Sequence, residues 1–124
     1  MQFSRDLPAD GATRIIRAYA AGSITTNLET VTHSVVLSAG ALSAWPPAAP
    51  DAIDAGAIAQ LLALRPEVVL IGTGAKLRLP APTALAEARA QRIGVEVMDT
   101  AAACRTYNVL LSEGRRVVAG LLMI

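Results

Sequence analysis

The run Val68-Val69-Leu70-Ile71 constrains this chain more than any other. It is bounded by Pro66 and Glu67 before it and by Gly72-Thr73-Gly74 after it. Four consecutive apolar, mostly β-branched residues read as a strand covered on both faces. Such a strand needs layers above and below it, so it predicts an α/β domain built around a central sheet. The flanking patterns supply those layers. Upstream, Asp54 is placed to cap a helix carrying Ile58, Leu61, Leu62 and Arg65 at i, i+3, i+4, i+7 spacing, stopped by Pro66. Downstream, a loop over 75–82 leads to a helix capped by Thr83 and running to about Arg92, where Gly94 breaks it. A short strand follows over 95–98. Asp99 or Thr100 caps a third helix that runs to Ser112, with Gly114 just past its end. Residues 115–123 read as a closing strand. Strand, helix, strand predicts that 67–71 and 95–98 are parallel neighbours joined by a crossover.

The N-terminal part reads differently. Residues 1–12 hold Pro8, Asp10 and Gly11 and read as a flexible lead-in. Alternation over 13–20, a turn at Gly22-Ser23, a short strand over 24–26, a turn over 27–30 and a β-branched run from Val31 to Ser38 predict an antiparallel meander over 13–39. Residues 40–53, with Trp45-Pro46-Pro47 and Pro50, read as a stiff connecting loop with Trp45 pinning it to the core. The expectation is one domain over 13–124: three layers, a mixed central sheet, helices against it and the meander beside it.

Composition narrows the function classes. Of the 124 residues 53% are hydrophobic and 17% charged, which excludes disorder. The net charge of +1 is not the footprint of a dedicated nucleic-acid binder. A single cysteine, Cys104, allows no internal disulfide, and the first residues lack the apolar stretch of a signal peptide, so the expected compartment is the cytoplasm. The long uncharged stretch over 34–50 is interrupted by Gly40, Pro46 and Pro47, so membrane insertion is not expected.

Candidate sites are few. Gly72-Thr73-Gly74 leaves a buried strand where α/β proteins place anion-binding loops, and Lys76 and Arg78 follow closely. Asp99 and Thr100, at the start of the third helix, should meet that loop at one sheet edge, adding free N–H groups to a pocket for a small anion. The simpler reading is a tight turn that needs glycine, beside an ordinary helix cap. A dinucleotide fingerprint fails at Leu77, and no P-loop ending is present. Glu96, in a strand expected to be covered, calls for a partner such as Arg115 or Arg116, or else is a catalytic acid. Cys104 and His33 are each unique. Cys104 falls with Thr100, Ala103, Tyr107, Leu110 and Leu111 on the apolar face of the third helix, so it reads as core. One Cys and one His fall short of a metal set. Arg105, on the opposite face with Ala102 and Val109, is a solvated charge or a partner contact. No complete catalytic constellation and no cofactor motif is present.

The runs Val69-Leu70-Ile71-Gly72-Thr73-Gly74, Glu96-Val97-Met98-Asp99-Thr100 and Ala102-Ala103-Cys104-Arg105-Thr106-Tyr107-Asn108-Val109-Leu110, with Glu113-Gly114-Arg115, resemble the Mth-domain family of unknown function. That family includes bacterial and archaeal single-domain members, an adipogenesis-associated protein and a mitochondrial complex I assembly factor. The resemblance extends from about Thr13 to Ile124. It implies a three-layer α/β fold and no particular catalytic residue. Two functional expectations follow: a non-enzymatic interaction or assembly-type module with a protein partner, or a binder of, or enzyme on, a small anionic ligand at the Gly72–Gly74 edge.

Overall fold

All five residues of the strand Val68–Gly72 are buried in the computed structural model, which describes residues 11–124. The expected lead-in therefore lies outside the described residues except for Gly11 and Ala12. The regular elements, in chain order, are strands β1 (Ile16–Ala20), β2 (Ser23–Thr26), β3 (Thr30–Val31), β4 (Val35–Ser38) and β5 (Leu42–Ala44), helix α1 (Ala55–Leu62), strand β6 (Val68–Gly72), helix α2 (Ala86–Ala90), strand β7 (Gly94–Met98), helix α3 (Thr100–Ser112) and strand β8 (Val117–Leu121). A mixed five-stranded sheet has the order β5-β4-β8-β6-β7, and a separate antiparallel sheet has the order β1-β2-β3. β6 runs parallel to both β7 and β8, while β4 is antiparallel to β5 and β8.

Strand alternation sorts the core into two halves. Leu70, Ala119, Leu121, Val35 and Leu37 face α3 and the small sheet, where they meet Cys104, Tyr107, Ile16 and Ile24. Val69, Ile71, Val118 and Val36 face the other way, onto Ile58, Leu61, Leu85, Ala88 and Trp45. The three layers are thus α1 with α2, the five-stranded sheet, and α3 with the three-stranded sheet, as the continuous apolar run of β6 required. Trp45 is pinned as expected, its indole N–H donating to the Ala57 carbonyl at 3.1 Å.

Several local expectations are corrected. The run from Val31 to Ser38 is not one strand. It breaks at Thr32-His33-Ser34, because β3 completes the small sheet with β2 while β4 enters the large one. The meander proper therefore ends at Val31. Residues 42–44, expected in a loop, form β5 by folding back on β4. Helix α1 keeps its Asp54 cap, which accepts from the Ala57 N–H at 2.8 Å, but ends at Leu62 rather than Arg65. Pro66 disfavours helical geometry in the residue before it, and Arg65 turns to φ 55°. Thr83 caps nothing: Pro82 opens a tight 3₁₀ turn over Pro82–Leu85 in which Thr83 is interior, and only Ala86–Ala90 is α-helical.

Candidate functional site

The parallel pairing of β6 with β7 brings their C-terminal ends together, and the expected meeting of the Gly72–Gly74 turn with the start of α3 is realised. The Thr100 N–H donates to the Gly74 carbonyl at 2.9 Å. In return the Gly74 N–H donates to Thr100 Oγ1 at 2.8 Å, and that hydroxyl donates to the Leu122 carbonyl at 2.7 Å. The two glycines serve different needs. A Cβ at Gly72 would lie 2.8 Å from Thr100 Oγ1, so glycine there lets α3 approach the sheet, whereas Gly74 takes φ +95° to turn the chain.

The remaining polar groups close on one another in the same way. The Thr73 N–H donates to the Met98 carbonyl at 2.9 Å. Its hydroxyl donates to the Lys76 carbonyl at 2.7 Å and accepts from the Arg78 N–H at 3.1 Å. Asp99 fills the helix start itself, accepting from the Ala102 N–H at 2.8 Å. Thr73 and Thr100 are buried, while the Lys76 and Arg78 side chains stand in solvent on the loop. Gly72, Thr73, Gly74, Asp99 and Thr100 thus form one interlocked seam, with the two cations at its rim. Of the donors expected to await an anion, the Gly74 N–H is engaged by Thr100 Oγ1, the Thr100 N–H by the Gly74 carbonyl and the Ala102 N–H by the Asp99 carboxylate.

Glu96 is a correction. β7 is an edge strand of its sheet, and Glu96 is exposed on it. The covered-strand placement assumed a layer over both faces, but on the face that Glu96 shares with Leu70, α3 lies mainly over β6 and β8 and leaves Glu96 in solvent. The arginines assigned to Glu96 serve Glu67 instead. The Arg116 backbone N–H donates to one carboxylate oxygen at 2.8 Å and chiefly holds the Glu67 carboxyl below its ordinary range, helped by Arg115 Nε at 3.4 Å from the other oxygen.

Cys104 is fully buried under α3, where burial pushes its thiol up to about 12. That leaves negligible thiolate near neutrality. Among the described residues no group of three or more His, Cys, Asp or Glu is placed to hold a metal.

Arg105 projects from α3 in solvent, as expected, but in a defined position. Its Nη1 donates to the Tyr19 hydroxyl of β1 at 2.7 Å. Val109, one turn on, is 54% exposed beside it. Sequence reading missed Tyr19 as its partner, 86 residues away. It also missed Asn108. That buried amide accepts from the Ile16 N–H at 3.0 Å and donates to the Ile16 carbonyl at 2.7 Å, extending the edge of β1 like an added strand residue. The signal for Asn108 was its place on the apolar stripe of α3 with Cys104, Tyr107 and Leu111.

This arrangement is that of a known structural class, the Mth938-like fold. The solution structure of a Bordetella pertussis protein described as a Mth938-like domain superposes with a TM-score of 0.81 at 34% identity, covering 99% of this chain and 92% of that one. The chain belongs to the family described as "Protein of unknown function (DUF498/DUF598)", which matches residues 16–122. It is 31% identical over 103 residues to the "13 kDa major membrane protein" of Francisella tularensis, covering 82% of this chain and 84% of that protein. It is also 31% identical over 110 residues to NADH dehydrogenase [ubiquinone] 1 alpha subcomplex assembly factor 3 of Danio rerio, covering 87% of this chain and 63% of that protein. The match to the mouse protein of the same name spans 34% of that protein's length. Among the described residues no helix is long and apolar enough to cross a membrane.

Proposed function

We propose that this chain is a non-catalytic interaction module of the assembly-factor kind, acting in the cytoplasm and docking a protein partner on the outer face of α3. The observation that carries this reading is the Arg105–Tyr19 contact. Its 2.7 Å hydrogen bond fixes a guanidinium on the surface beside the exposed Val109. Arginine and tyrosine are the residues most enriched at the energetic centres of protein interfaces, and a pre-ordered arginine loses less entropy on docking. Two further observations support it. The relatives named as complex I assembly factors act, by that name, on another protein assembly. The single cysteine, Cys104, is buried and its thiol is pushed up to about 12, which counts against a nucleophilic role.

The competing reading places a small anion against Gly72, Thr73, Gly74, Lys76, Arg78, Asp99 and Thr100. The two solvent-facing cations favour it, and the closed hydrogen bonds of the seam count against it. A photo-crosslinking side chain at Val109, with one at Glu87 on α2 as control, separates the readings in the native host. A discrete protein adduct is expected from position 109, none from 87, and loss of the adduct with Arg105→Ala. Absence of an adduct at 109, together with a small anion whose affinity falls on Lys76→Ala and Arg78→Ala, would overturn the proposal.

A further inference from the structure

Five large apolar side chains are exposed among the described residues, and the two most exposed share one loop. Leu79 is 75% exposed and Leu77 56%. They alternate with Lys76 and Arg78, so residues 75–79 form an unbroken exposed stretch reading Ala-Lys-Leu-Arg-Leu. The stretch is held at both ends. On one side the buried Thr73 binds the Lys76 carbonyl and the Arg78 N–H, and on the other Pro80 is buried. Neither Lys76 nor Arg78 forms an ion pair among the described residues. The fold therefore presents a short, anchored tip carrying two leucines and two uncompensated cations.

We infer that this tip is a peripheral docking element for an anionic lipid bilayer. Leu77 and Leu79 enter the headgroup boundary, and Lys76 and Arg78 lie among the lipid phosphates. The chemistry is that of interfacial anchoring: apolar side chains leave water, their cationic neighbours keep their aliphatic stems shallow, and the charges meet a surface of opposite sign. A bilayer fits the tip better than a protein partner does. A stable protein interface buries roughly 800 Å² on each side, whereas the exposed stretch is five residues long and ends at the buried Gly74 and Pro80. A bilayer needs no matching surface. This placement is peripheral and crosses nothing. It uses a different part of the molecule from the Arg105 face and stands independently of it.

The test is co-sedimentation of the full chain with sucrose-loaded vesicles of phosphatidylcholine alone, or of phosphatidylcholine with about one-third phosphatidylglycerol. Partition into the anionic vesicles should exceed partition into neutral ones at least tenfold, and should fall as salt rises. Leu77→Ser with Leu79→Ser should reduce it at least tenfold, and Lys76→Gln with Arg78→Gln should abolish the preference for phosphatidylglycerol. All four side chains are exposed, so thermal melts should not move. In a Leu79→Trp variant the emission should shift to the blue on anionic vesicles, over the constant signal of the buried Trp45. Equal partition into both vesicle types, or unchanged partition of the double leucine variant, would overturn the inference. Free glycerol phosphate displacing the chain at millimolar level would also overturn it, pointing to a soluble anion. So would a protein adduct from a crosslinker at position 77 in the absence of lipid binding.

Discussion

Asn108 puts a polar amide where the helix stripe calls for an apolar side chain, and the environment makes it indispensable. Both of its hydrogen bonds go to the backbone of Ile16, a residue with no exposed surface. Asn108→Ala leaves a buried N–H and a buried carbonyl without partners, at roughly 1–3 kcal/mol each. A loss of about 2–4 kcal/mol is expected from urea midpoints, and Asn108→Leu should not recover it. Cys104 and Tyr107 carry a pH dependence. Burial raises both, the thiol from 9.0 to about 12 and the phenol upward from 10.0. Each holds its proton more tightly folded than unfolded. The folded chain therefore binds the extra proton between those limits, and stability is full below pH 9 and falls as pH rises above it. Urea midpoints should begin to fall near pH 9 and go on falling toward about pH 12, with a shallower drop in Cys104→Ala.

At the scale of elements, α3 holds two sheets at once. Ala103, Cys104, Tyr107 and Leu111 pack on the large sheet and the small one, and the Tyr107 hydroxyl donates to the Arg14 carbonyl at 2.7 Å. Leu111 is 8% exposed, so Leu111→Ala should cost roughly 2–5 kcal/mol in denaturant melts. A value near zero would mean that the helix face is assigned wrongly. Where β8 crosses the Trp45 loop the fit is closer still. A Cβ at Gly120 would lie 2.7 Å from the indole ring, so Gly120→Ala should destabilise by about 1–3 kcal/mol through overpacking. The edge strand β7 gives the contrast. Glu96 is exposed there, and Glu96→Ala should stay within about 0.5 kcal/mol of the parent chain.

Across the whole molecule, stability should grade outward from β8 and β6. These strands are paired on both sides and buried at every position. Their amides should exchange slowest by hydrogen–deuterium exchange, and those of β5 and β3 faster, since both are short strands at sheet edges. Asn108→Ala should selectively speed exchange in β1, because the amide contact is one of the few polar ties between α3 and the small sheet.

The sequence by itself determined what is local. Val68 to Ile71 announced a strand covered on both faces, Asp54 and Asp99 announced helix starts, and the crossover length announced parallel strands. Each rests on residues within a few positions of one another, where backbone geometry and side-chain period leave little choice. The seam of Gly72–Gly74 with Thr100 was legible for the same reason, since parallel strands must end together. Tertiary structure decided the rest. The Val31–Ser38 run gave no sign of its break, because β-branched residues suit either sheet and only pairing with β2 or β8 assigns each half. Glu96 depended on how far α3 reaches across the sheet face it shares with Leu70, a property of the tertiary packing. Arg105 with Tyr19, and Asn108 with Ile16, join positions 86 and 92 residues apart. Such contacts exist only once the small sheet has docked, and no local pattern encodes which backbone a distant amide or guanidinium will meet.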